Sequence, residues 1–394
     1  MQQTSLRAGV YIQQPTGYRA FQPKALPPDP PLIIDNEMLT LLSKADRALG
    51  RLDGATSNLP NPDLFVMMYV RKEAVLSSQI EGTQASLNDV LEQEARVLRE
   101  SSPDDVGEVL NYVNSMNYGL ARLAEFPLSL RLLKEIHERL MAGTRGHEKN
   151  PGEFRRSQNW IGSGGGTLQS AKFVPPAPDD MYVALGEWER FLYDPVEVPV
   201  LIRVGLLHAQ FETIHPFLDG NGRVGRLLIT FFLCEREVLV RPMLYLSHYF
   251  KANRTEYYDR LQAIRDHGDW ENWLKFFLRG IAIVANEATD VARKILNLRE
   301  SDRERIRVTM GRATADAIRL HENLFARPFI NVAHAMVITG RGFAAANRMV
   351  GQLQELGILE EQTGNQRNRV YLYREFLRLF DDSELRAREV EMEN

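Results

Sequence analysis

Cysteine is almost missing from this 394-residue chain: the only one, Cys234, ends the apolar run Leu227 to Cys234. A single thiol excludes a disulfide framework within the chain, fits a reducing compartment and reads as a core group, so a cytoplasmic location is expected. Long hydrophobic runs are lacking too. The Leu227 to Cys234 stretch is far short of the roughly 20 apolar residues that cross a bilayer, and the amino terminus MQQTSLRAGVYIQQP has no signal-peptide core, so no membrane partner is expected. Neither sign of charge dominates. With 48 Lys and Arg against 52 Asp and Glu the formal net charge is -4, and any binding to a polyanion must rest on a local patch. No Lys-Ser or Lys-Thr pair follows a glycine-rich loop after a strand, which excludes a Walker A site.

What is present is mainly helical periodicity. Residues 1–31 are polar and rich in proline, ending in Pro27-Pro28-Asp29-Pro30-Pro31, and read as an extended arm. Apolar residues then recur at three and four spacing over 37–50, 64–81, 87–99, 106–124 and 129–141. Asn159-Trp160-Ile161-Gly162 and Lys172-Phe173-Val174 flank the glycine-rich tip Gly164-Gly165-Gly166, so 152–178 reads as a β-hairpin. Helices are expected again at 180–193, 198–213, 223–236, 248–267 and 270–297. A charged helix near 301–325 leads to a different unit: helices at 329–338 and 343–356, then strands Ile358–Glu361 and Val370–Tyr373 around Thr363-Gly364-Asn365, the pattern of a small winged helix. The fold class is therefore mainly α, a helical core with a β-hairpin and then a small α+β domain. The expected domains are the arm (1–31), an amino-terminal helical region (32–125), a core (126–297) and a linker helix with the winged-helix-like unit (298–394).

One segment concentrates chemistry. His215-Pro216-Phe217-Leu218-Asp219-Gly220-Asn221-Gly222-Arg223-Val224-Gly225-Arg226 joins two apolar helices. Gly220 and Gly222 are expected to take positive φ and bring the backbone close to a ligand, with the free N–H groups of the next helix forming an anion cradle. Asp219 offers a hard oxygen to Mg²⁺, and Arg223 and Arg226, three apart on one helical face, can fork onto phosphate oxygens. His215 is suited to take a proton from a hydroxyl near neutral pH. A Gly-Asn-Gly alone is more often a plain turn, and His208, two turns earlier on an apolar helix, reads as a satisfied core histidine.

His215 to Arg226 resembles the Fic family signature, His-Pro-Phe-x-Asp/Glu-Gly-Asn-Gly-Arg-x-x-Arg, at every specified position, and the likeness runs from roughly residue 60 to 297. The resemblance implies a protein adenylyltransferase that moves AMP from ATP onto Ser, Thr or Tyr hydroxyls of a target protein or of itself. It implies His215 as base, Asp219 as Mg²⁺ ligand, and an ATP site formed by Glu81, Gly220, Asn221, Gly222, Arg223, Val224, Gly225, Arg226, Tyr257 and Tyr258, the tyrosines beside the adenine. Residues 152–178 resemble the family's flap, with Phe173 and Val174 near the target. Ser77-Ser78-Gln79-Ile80-Glu81-Gly82 is similar to the family's inhibitory motif, in which Ser77, Glu81 and Gly82 would set the glutamate on Arg226. Alternatives remain: a hydrolase that removes AMP with Glu81, a DNA-binding regulator using Arg341, Arg348, Arg367 and Arg369, another nucleotide donor, and a homodimer.

Overall fold

The structure, a computed structural model, describes residues 7–57, 62–95, 105–162, 167–195 and 197–380. A hairpin of β1 (Gly9–Gln13) and β2 (Arg19–Pro23) precedes α1 (Asn36–Ser57), α2 (Pro62–Ile80), α3 (Leu87–Glu94), α4 (Val106–Leu123) and α5 (Leu130–Leu140). Then come α6 (Pro178–Tyr193), α7 (Val200–Ile214), α8 (Asn221–Glu235), α9 (Ser247–Ala252), α10 (Arg254–His267) and α11 (Trp270–Thr309). The chain ends with α12 (Thr314–Leu324), β3 (Phe329–Asn331), α13 (Val332–Thr339), α14 (Phe343–Glu355), β4 (Glu360–Glu361), β5 (Val370–Leu372) and α15 (Arg374–Arg378). It divides into two compact units, Met1–Asp53 with Glu73–Gln84 and Gly107–Asn286, and Gly54–Lys72 with Ala85–Val106 and Glu287–Asn394.

The first unit is built around α7, in which every residue from Leu201 to Ile214 is buried. A helix apolar on all sides belongs at the centre of a bundle, and α6, α8 and α10 pack around it. Its polar residues are accommodated individually: the Arg203 guanidinium donates to the carbonyls of Phe191 and Asp194. An aromatic cluster of Phe250, Tyr257, Trp273 and Phe277 closes the far side. The second unit holds a three-stranded antiparallel sheet, order β3-β5-β4, with α12 and α14 beside α13. Buried Asp302 accepts from the Tyr373 hydroxyl beside His321, joining three separate segments of that unit.

Several sequence expectations need correction. The amino-terminal arm is not simply extended, because Val10-Tyr11-Ile12 and Ala20-Phe21 pair across a Pro15-Thr16-Gly17 turn with Gly17 at φ +91°. No break separates 297 from 301: α11 runs unbroken from Trp270 to Thr309, since neither glycine nor proline occurs between Gly280 and Gly311. Conversely, 248–267 splits at Asn253, whose side chain donates back to the Tyr249 carbonyl. Phe329–Asn331 is a strand rather than the start of a helix, and the Asn331 side chain caps α13 by accepting from the His334 N–H. Residues 96–99 of the helix expected at 87–99 and the tip Gly164-Gly165-Gly166 lie outside the described residues, as do residues 1–6 of the arm.

Candidate active site

Helix α7 ends at His215, held at φ +50°, and α8 begins after Gly220 at φ +75°. Left-handed residues at both ends turn the chain sharply, so Pro216 to Asp219 form a tight loop at the α8 amino terminus. Asn221 fixes that loop: its Oδ1 accepts from the Phe217 N–H and its Nδ2 donates to the Phe217 carbonyl, both at 2.8 Å. Both ends of its amide are thus spent on shaping the loop. Gly222, expected to need positive φ, is an ordinary helical residue. Its constraint is space, because a Cβ there would stand 2.3 Å from Glu81 Oε1 and 3.0 Å from Arg226 Nη1.

The buried Arg226 is tied to the end of α2. Its Nε donates to Ser77 Oγ at 2.7 Å, and its Nη2 donates to the Ser77 carbonyl at 3.0 Å and to Glu81 Oε1 at 2.6 Å. Gly82, at φ +103°, turns the chain after the helix and leaves Glu81 just past Ile80, its last residue. Burial works against the Arg226 charge, but Glu81, with Tyr257 and Tyr258, holds the guanidinium above its ordinary pKa. Arg223, also buried, donates to Glu108 Oε2 at 3.1 Å. Glu212 is buried under Gly225 with Oε1 unpartnered, and burial pushes its carboxyl up to about 7 against the pull of Arg226.

His215 is half-buried. Burial, then the charges of Arg265 and Arg155, pull its pKa down to about 3, while the Glu212 carbonyl pulls the other way. The ring is therefore a neutral acceptor. Asp219 accepts from its neighbour's N–H (Gly220) at Oδ1 and from Lys149 Nζ at Oδ2, 2.9 Å away. Its burial would raise its pKa, but the Lys149 bond and the Gly220 N–H win, and the carboxyl is held below the usual range. One ionised, half-exposed carboxylate suits Mg²⁺, which keeps waters and takes its remaining ligands from substrate phosphates.

Residues without any local signal hold the site from behind. His137 Nδ1 accepts from the Gly152 N–H at 2.9 Å, so its Nε2 carries the proton and donates to the Asp219 carbonyl at 3.0 Å. Arg155 donates to the carbonyls of His215 and Pro176, and Asn159 to those of His215 and Phe217. His208 is the satisfied core residue expected of it. Its Nδ1 donates to the Gly225 carbonyl, and the Tyr257 hydroxyl donates to its Nε2 at 2.9 Å.

Tyr257 is thus buried in the aromatic cluster, and its neighbour Tyr258 is half-exposed. Phe173 and Val174 are buried as well, Phe173 beneath the Arg265 guanidinium, 3.9 Å from the ring centroid. Within 152–178 the only strand pairing among the described residues is a single antiparallel bridge, Ile161 to Phe173. In the second unit Arg341 is committed to Asp316 and Arg369 to the Asn365 carbonyl, so two of the four arginines expected at a duplex are engaged.

Residues 127–233, which contain the whole His215 to Arg226 loop, match the Fic/DOC family, and residues 39–121 match its amino-terminal region. The chain carries a Fic/DOC domain. It is similar to the protein adenylyltransferase Fic of Aedes aegypti, 32% identical over 212 residues, covering 50% of this chain and 37% of that protein. The protein adenylyltransferase Fic of Drosophila mojavensis is 29% identical over 262 residues, covering 62% of this chain and 45% of its own length. This chain thus spans less than half of the curated relatives it matches. A crystal structure of a Fic family protein from Desulfovibrio desulfuricans shares the fold, with a TM-score of 0.57 and 18% identity over 87% of this chain and 97% of that one. No helix among the described residues is long and apolar enough to cross a membrane.

Proposed function

We propose that the Fic/DOC domain transfers AMP from ATP to a Ser, Thr or Tyr hydroxyl of a protein, and that Glu81 restrains it. The observation that carries this reading is the fastening of Arg226 to Ser77 and Glu81 beside the loop that bears His215 and Asp219. A glutamate on that guanidinium occupies the place of an ATP phosphate, and withdrawal of Glu81 frees Nη2 for it. His215, neutral and at the loop entrance, accepts the hydroxyl proton as the oxygen bonds to the α-phosphorus. The bond from that phosphorus to the bridging oxygen breaks, and pyrophosphate leaves with the electron pair. The Gly222 N–H and its neighbours at the α8 amino terminus face the transferred phosphate, and Arg223 and Arg226 hold the others. Asp219 would hold Mg²⁺, which supplies charge neutralisation on the phosphates. The relatives' names, protein adenylyltransferase, support the reaction class.

The test is label transfer from α-³²P-ATP and, separately, from γ-³²P-ATP, using the wild type, Glu81→Gly, and Glu81→Gly with His215→Ala. The expected result is α label alone, strong for Glu81→Gly, weak for the wild type and lost in the double variant. Label from the γ position, or equal labelling with and without His215, would refute the reading.

A further inference from the structure

The segment 142–153, which follows α5, is shaped by left-handed residues: Gly143 at φ +65°, Gly146 at +87°, Asn150 at +53° and Gly152 at +79°. Two turns lie within it, the His147 N–H donating to the Thr144 carbonyl at 3.0 Å and the Lys149 N–H to the Gly146 carbonyl at 2.9 Å. Together they fold the segment onto Asp219. A Cβ at Gly146 would stand 3.0 Å from Asp219 Oδ2, the oxygen that Lys149 Nζ reaches at 2.9 Å. The far end is tied to the same residue, because the His137 ring accepts from the Gly152 N–H and donates to the Asp219 carbonyl.

The ammonium stands where a metal would be needed. Asp219 Oδ1 accepts from the Gly220 N–H at 2.7 Å, and Oδ2, the oxygen without a backbone donor, carries Lys149. A Mg²⁺ ion would take such an oxygen at about 2.1 Å, and an ammonium within hydrogen-bond reach of the same atom repels it. The two cations therefore exclude one another. Arg223 and Arg226 cannot play this part, since both guanidiniums are buried, one held by Glu108 and the other by Ser77 and Glu81. Lys149, its side chain 44% exposed on a flexible four-carbon stem, can leave.

We infer that Lys149 is a built-in substitute for the divalent cation: it neutralises Asp219 in the ligand-free chain, lets ATP approach that carboxylate without metal, and yields Oδ2 when the cation arrives. The inference rests on the ATP site of the transferase reading and adds the residue that sets how strongly nucleotide binding depends on the metal. Without the ammonium a bare carboxylate faces the triphosphate, and a divalent ion becomes the group that must mask it.

The test is titration calorimetry with ATP, in EDTA and in Mg²⁺, on the full chain carrying Glu81→Gly, alone and with Lys149→Met or Lys149→Arg. Lys149 is exposed, so both variants should fold. The factor by which Mg²⁺ tightens ATP binding should be on the order of tenfold larger for Lys149→Met than for the parent, because affinity falls mainly in EDTA. Lys149→Arg keeps the charge and should stay near the parent. A factor unchanged in Lys149→Met, whether its affinity holds or falls equally in both conditions, overturns the substitute and leaves the transferase reading intact. A Lys149→Arg protein that follows Lys149→Met also overturns it, since charge would not be the cause. A parent that binds ATP in neither condition overturns the transferase reading and the inference with it.

Discussion

Glu81 Oε1 and Arg226 Nη2 stand 2.6 Å apart, one just past the end of α2 and the other on the first turns of α8, packed so closely over Gly222 that a Cβ there would stand 2.3 Å from Glu81 Oε1. The guanidinium is buried and the carboxylate is about a third exposed, at 2% and 33%. Removal of Glu81 leaves Arg226 with its Ser77 bonds and a free donor. Glu81→Gly should therefore raise ATP affinity on the order of 10- to 100-fold, less than a fully desolvated pair would give because water screens Glu81. Titration calorimetry with ATP on both proteins checks this, and equal affinities would remove the brake from the proposal.

Asn221 offers a test of loop shape independent of charge. Its two bonds to Phe217 are buried; Asn221→Ala strands the Phe217 N–H and leaves the Phe217 carbonyl with Asn159 as donor, so the change should cost about 1 to 3 kcal/mol. Thermal melting should register the loss, and transfer by the Glu81→Gly form should fall because the His215 to Asp219 loop is no longer pinned. Unchanged melting would mean that the loop holds itself without Asn221.

The legible and illegible parts of this site divide by sequence distance. His215 to Arg226 is contiguous, so its loop, its helix start and its chemistry could be read together. Ser77 and Glu81 were readable only through resemblance, because nothing local says that α2 meets α8. His137, Lys149, Arg155 and Asn159 act on a loop 56 to 82 positions away through backbone carbonyls and one carboxylate, contacts that leave no pattern in the sequence. Helical periodicity gave most helices of the first unit correctly. It failed where turn chemistry or a cap decided the matter, as at the Gly17 hairpin and the Asn331 cap, and where the expected break after 297 had neither glycine nor proline to make it.

His215 in the ligand-free chain has its pKa near 3, low for a group that must take a proton at neutral pH. A triphosphate brings negative charge to a ring now flanked by Arg265 and Arg155, which should raise that pKa by favouring the imidazolium. Titration of the His215 ring by NMR should show no protonation down to about pH 5 without ligand, and a higher midpoint with ATP bound to the Glu81→Gly, Asp219→Ala form. A midpoint that stays put would mean that the phosphates do not face His215.

The buried ionisable groups set opposing pH slopes on stability. His137, His208 and His215 have folded values near 4, 3 and 3 against an ordinary 6.5, so the unfolded chain binds more protons below 6.5 and stability falls as pH drops from there. Glu73 and Glu212 run the other way. Burial raises both to about 7 from an ordinary 4.5, so the native chain holds more protons in between; their contribution is complete below 4.5 and is lost as pH rises toward 7. Three groups against two leave a net of one between pH 4.5 and 6.5, which predicts a milder dependence of melting temperature there than below 4.5, where the histidines act unopposed. Replacing Glu73 and Glu212 by glutamine should unmask the histidines, so that the double variant loses stability from pH 6.5 downward more steeply than its parent. Parallel melting curves for the two proteins across that window would show that these carboxyls titrate as ordinary ones.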